Sequence, residues 1–159
     1  MWDSGTTTMA TTAQGTRSPD ISAYDNNGNM VSASSTTSTS GWSVNGGLWS
    51  RRMPITIDHT KVSGSGTLTN FPLLFSVTSS SEFKSTANGG YVALSNGTDI
   101  FFTASDGVTK INHELERYTA TSGEVIAWVN VPNVYTSTNT IIYAYYGNAN
   151  SELPFAVTT

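Results

Sequence analysis

The chain predicts an all-β fold, an antiparallel β-sandwich of jelly-roll or immunoglobulin-like type with an extended N-terminal arm. Three observations carry that expectation. Short runs rich in Val, Ile, Thr, Phe and Tyr recur from Leu48 onward, and these residue types suit a pleated, half-buried surface. Clusters of Gly, Asn, Asp and Ser separate the runs and supply turn conformations. No stretch repeats its apolar residues with the period of a helix.

The elements follow in order. Residues 21–24 (ISAY) and 30–33 (MVSA) are strand-like and flank Asn-Asn-Gly-Asn, where Asn and Gly tolerate the positive φ of a tight turn. Residues 34–47, a Ser/Thr run ending in Gly46 and Gly47, read as a flexible linker. The division is therefore an arm and linker over 1–47 and a sandwich over 48–159. In MPITID (53–58) the alternation puts Ile55 and Ile57 on one face. FPLLFSVT (71–78) puts Phe71, Leu73, Phe75 and Val77 on one face, with Leu74 opposite among polar neighbours. DIFFTA (99–104) lies between the turn signals SNGT and SDG, and INHELERY (111–118) sorts Ile111, His113 and Leu115 from Asn112, Glu114 and Glu116. EVIAWVNV (124–131), NTIIYAYY (139–146) and LPFAVT (153–158) complete the set.

Two of these strands are apolar on both faces. Ile126 and Trp128 stand opposite Val125, Ala127, Val129 and Val131, while Ile141, Tyr143 and Tyr145 stand opposite Ile142, Ala144 and Tyr146. A strand with one wet face should be polar there. The second face is covered by a loop or by the chain's own arm, or it is a platform for sugar rings, or another subunit covers it.

Composition narrows the function. The chain has 159 residues, no Cys and a formal net charge of −4. This excludes disulfides and thiolate metal sites, and leaves no basic stripe for nucleic acid. No apolar run is long enough for a membrane span. Only 11% of residues are charged, while roughly three in ten are Ser or Thr. A surface of hydroxyls and amides suits an extracellular or cell-surface protein.

WSRRMPITID, GSGTLTNFPLLFSVT, GTDIFFTASDGVTKINHELERY, SGEVIAWVNVP and TNTIIYAYYGNA follow one another along residues 48–150. In order and style they resemble the domain-of-unknown-function family numbered 2341, a β-sandwich module of bacterial and archaeal surface proteins. The motif DI-x-FT-x-SDG, followed by E-x-E and YYGNA, carries the resemblance. It implies an extracellular location and lectin-like or adhesive neighbours, and supplies no reaction. The arm before Leu48 lies outside the family pattern.

Few groups are available for catalysis. Asp58 and His59 are strand neighbours, as are His113 and Glu114, and such neighbours point to opposite faces. Glu114 and Glu116 share a face about 7 Å apart. That spacing suits a glycosidase carboxylate pair, or a solvated face pairing with Arg51, Arg52 or Arg117. Asp99 and Asp106 flank a D-G hairpin that explains them without calcium. No enzyme activity, cofactor or metal is expected. Asn96-Gly97-Thr98 is an N-glycosylation sequon placed in a turn. Ser34, Ser35, Thr36, Thr37, Ser38 and Thr39 form an O-linked candidate run.

The arm carries Trp2, Met9, Ile21, Tyr24, Met30 and Val31, apolar side chains that are costly to leave in water. A sandwich has edge strands that must be covered, and an extended arm can add a strand to one. The expectation is a glycosylated structural subunit of an extracellular filament, a homopolymer in which each arm is donated head-to-tail to the next sandwich. The alternative is a carbohydrate-binding or adhesive module using Trp128, Tyr143 and Tyr146.

Overall fold

The computed structural model describes residues 22–24, 30–33 and 36–150, with side chains from 41 to 150. Trp2, Met9 and Ile21, Ser34 and Ser35, and the strand expected over 153–158 lie outside the described residues.

Among the described residues, ten strands form two antiparallel sheets packed face to face: β1 (Ser22–Tyr24), β2 (Met30–Ala33), β3 (Thr36–Val44), β4 (Gly47–Ile57), β5 (Thr67–Val77), β6 (Phe101–Thr103), β7 (Lys110–Ile111), β8 (His113–Thr119), β9 (Glu124–Tyr135) and β10 (Thr140–Tyr146). The larger sheet runs β1-β2-β4-β10-β6-β7, with β3 also paired to β4, and the smaller runs β5-β9-β8. The core between them draws on alternate residues: Met53, Ile55 and Ile57 from β4, Leu73, Phe75 and Val77 from β5, and Val125, Ala127, Val129 and Val131 from β9. Phe83 and Val92, from the long β5–β6 connection, fill the same core.

The reading of 34–47 as a flexible linker is corrected. Its Thr-rich run and Trp42 form β3, and Asn45 and Gly46, at φ 50° and 78°, make a two-residue turn that lays β3 on β4. Both turn residues occupy the left-handed region that such a hairpin requires. Ser32 opposite Thr56 and Thr36 opposite Arg52 keep one register, so β2 and β3 run along the same edge of β4. The boundary expected at Leu48 thus falls inside a hairpin.

The arm segments 22–24 and 30–33 are paired within the chain, with Tyr24 opposite Met30 and Ala23 opposite Val31. Tyr24, Met30 and Val31, expected at a subunit interface, stand on β1 and β2 of the chain's own larger sheet. INHELERY is not one strand. β7 pairs with β6 in the larger sheet and β8 with β9 in the smaller, so the chain changes sheets at Asn112.

Candidate functional site

The outer face of the smaller sheet presents Trp128, which is 38% exposed. Its cross-strand neighbours are Leu74 on β5 and Glu114 on β8. A bulge in β8 between Leu115 and Arg117 sets Glu116 off the ladder, and its Oε2 accepts the indole N–H of Trp128 at 3.0 Å. Bulges re-aim side chains in this way. Beside the ring lies an open groove of about 210 Å³ lined by Pro72, Asn112, Glu114 and Asn130 among others. Sequence alone located Trp128 but not Asn112 and Asn130, which the change of sheets at Asn112 brings alongside it.

The other aromatic candidates lie elsewhere. Tyr146 is a correction: it is fully buried in the main core and donates its hydroxyl to Glu82 Oε2 at 3.2 Å, so no sugar can stack on it. Tyr143 is half-buried, with the Arg52 guanidinium 4.5 Å from its ring centre. It borders a second apolar cluster on the outer side of the larger sheet, made of Val44, Trp49, Phe101 and Tyr145. The β3–β4 turn and the 104–109 turn meet over this face, where Asn45 Nδ2 donates to the Val108 carbonyl and Tyr145 to the Gly107 carbonyl. The chain's own hairpin therefore explains why β10 is apolar on both sides.

The titratable candidates are held by local structure. Asp58 Oδ1 accepts the Thr60 N–H and hydroxyl, and these bonds hold its carboxyl below the usual range. His59 instead meets Asn139 at 2.7 Å. His113 faces the core, edge-on to Phe102, while Glu114 is exposed on the opposite face. Arg117 pairs with Glu124 at 3.5 Å rather than with Glu114 or Glu116, and the Arg51 guanidinium lies 3.5 Å over the Tyr91 ring.

Asp99 is buried and accepts four backbone N–H groups, from Ala93, Leu94, Gly147 and Asn148. Burial pushes its carboxyl up, and the four amides oppose that shift. Asp106 caps the 104–109 turn by accepting from Val108 N, Thr109 N and the Thr109 hydroxyl. Among the described residues no group of three or more His, Cys, Asp or Glu could hold a metal.

Residues 96–153 match the family described as Domain of unknown function (DUF2341). The matched segment starts at the sequon and ends past YYGNA, a narrower extent than the 48–150 of the resemblance. No curated protein and no solved structure matches the chain. Within the segment, Asp99, Asp106, Tyr145, Tyr146 and Gly147 all serve turns or core packing. Glu114 and Glu116 of the E-x-E motif are exposed, as is Trp128, which lies between that motif and YYGNA.

Asn96 and Thr98 are exposed, and Asn96 Oδ1 accepts the Thr98 hydroxyl at 2.9 Å. Thr36, Thr37, Ser38 and Thr39 fall on β3. Sequence reasoning missed one further feature. At the end of the sandwich where β9 finishes and β10 begins, a mouth of about 200 Å³ opens between the sheets, lined by Ala104, Val131, Pro132, Tyr135, Ile141 and Ile142 among others. Tyr135 is 42% and Ile141 38% exposed there. The only signal was that EVIAWVNV runs on through Pro132 to a second aromatic.

Proposed function

We propose that the protein is a structural subunit of an extracellular filament, and that the N-terminal segment of one copy enters the inter-sheet mouth of the next. The observation that supports this reading is the inter-sheet mouth, where Tyr135 and Ile141 stand open beside Val131 and Ile142, with Ser105, Asn133, Asn139 and Thr140 also on its wall, because a concave opening of this kind offers a donated segment apolar area to bury. The place of β1 adds to it. Ser22, its first residue, stands opposite Ser32, which pairs with Thr56, so β1 begins at the same end of the sheet as Ile57 and the mouth. A segment of 21 residues reaches about 70 Å when extended, beyond the roughly 40 Å of a twelve-residue strand. It carries Trp2 and Met9 as side chains to bury. Donor and acceptor are different surfaces, so the contact is heterologous and propagates as a fibre unless rotation closes a ring. Asn96, exposed on a turn, is the site for an attached glycan.

Electron microscopy of the full chain and of a chain lacking residues 1–20 tests the proposal. The full chain forms filaments with a subunit-sized repeat, and the truncated chain stays monomeric. Filaments from the truncated chain would sink it.

A further inference from the structure

Trp128 and its surroundings carry a second inference, independent of polymerisation. We propose that the groove beside Trp128 binds a neutral polysaccharide, with a pyranose ring stacked on the indole and its hydroxyls bonded to Glu114, Asn112 and Asn130. Three observations converge on it. The ring is exposed on the outer face of a three-stranded sheet, and an aromatic face offers the apolar side of a sugar a flat partner. Its N–H is held by Glu116 at 3.0 Å, so little side-chain freedom remains to be lost on binding. Exposed Asn112, Glu114 and Asn130 line the groove, and amides and carboxylates accept and donate in the mixed pattern that hydroxyls present. Such a combination of one large apolar surface and a few convergent polar groups is what small-ligand sites are built from.

Charge selects the class of sugar. Glu114 lines the groove and Glu116 stands behind the ring, while the nearby cation Arg117 is already paired with Glu124. Uronic or sialic acids would bring a further carboxylate up against Glu114, and like charges at short range repel. A neutral hexose or pentose chain meets no such cost.

Affinity electrophoresis of the full chain through gels containing hydroxyethylcellulose, xylan, galactomannan or alginate tests the inference. At least one of the three neutral polymers retards the chain, and alginate does not. Trp128→Ala abolishes the retardation, and Trp128→Phe retains part of it. The double variant Asn112→Ala/Asn130→Ala, which leaves the aromatic in place, weakens retardation about tenfold while its melting curve stays within a few degrees of the parent. Absence of retardation by all three neutral polymers, or unchanged retardation of Trp128→Ala, would overturn the proposal. Retardation by alginate alone would overturn the choice of a neutral ligand. None of these outcomes depends on whether filaments form.

Discussion

Asp99 and Gly147, 48 residues apart, are joined by a 2.9 Å hydrogen bond from the Gly147 amide to Asp99 Oδ2. The same oxygen accepts from Ala93 and Asn148, and Oδ1 accepts from Leu94. One buried carboxylate thus ties the end of β10 to the connection that leads into β6. This gives the D of the DI-x-FT-x-SDG motif and the GN of YYGNA a common structural purpose.

Asp99→Asn should therefore cost more than an ordinary surface change. The amide group replaces one acceptor with a donor facing backbone N–H groups, leaving at least one of them unpaired. An unmade buried hydrogen bond costs about 1–3 kcal/mol. Urea unfolding should show a loss of about 2 kcal/mol. A change under about 0.5 kcal/mol, the range of neutral surface substitutions, would contradict the assigned role.

Gly147→Ala should be destabilising for two separate reasons. The residue adopts φ 83°, and a Cβ there would meet Ser50 Oγ at 2.1 Å and the Tyr91 carbonyl at 3.0 Å. Gly46 has a similar φ of 78° but nothing within 4 Å of its Cβ position. Gly46→Ala thus reports the backbone cost alone, about 1–2 kcal/mol. Gly147→Ala should exceed it by at least about 1 kcal/mol, the overpacking cost, in parallel thermal melts.

The alternation of β4, β5 and β9 made the sandwich core legible, because Ile55, Leu73 and Val129 each sit on an apolar face of period two. The sheet-switching break at Asn112 was not legible, since INHELERY alternates without interruption across it. The Ser/Thr run was misread because composition suggests a linker, whereas pairing with β4 gives even a polar Thr-rich segment a partner for its backbone groups. Trp128 could be picked out, but not separated from Tyr146: both are aromatic residues on two-sided strands, and only the packing of Phe83 against Tyr146 puts one of them inside.

His113 predicts a pH dependence. Its ring is buried against Phe102, its Nδ1 lies 3.2 Å from the Ile111 carbonyl, and burial pushes its pKa below 6.5. The unfolded chain then takes up a proton at a higher pH than the native chain does. Stability from this group is full above about pH 6.5 and declines as pH falls below it. His113→Gln should be less stable at pH 7.5 by about 1–2 kcal/mol through lost packing, yet lose less than the parent between pH 6.5 and 5. Urea midpoints at the two pH values measure both effects, and equal losses in parent and variant would refute the assignment.

Acid should also loosen the cover over the outer aromatic cluster. Asp106 holds the 104–109 turn, and its bonds from the Thr109 hydroxyl and the Val108 and Thr109 amides keep its carboxyl below 3.8. A depressed carboxyl stabilises the turn above pH 3.8, and that contribution disappears as pH falls through the native value. Gly107 in this turn accepts the Tyr145 hydroxyl at 2.8 Å, and Tyr145 packs on Phe101, which in turn meets Trp49 at 4.4 Å. Releasing the turn opens a path for water to Trp49, which is fully buried in the folded chain. Asp106→Ala at pH 7 should reproduce the acid effect: faster amide exchange at Val108 and Thr109 and readier quenching of Trp49 emission, with the main core unchanged. To isolate Trp49, the comparison is made in a background in which Trp2, Trp42 and Trp128 are all replaced by Phe. If Asp106→Ala leaves both exchange and quenching as in the parent, the turn is held by Tyr145 and Asn45 without the carboxylate.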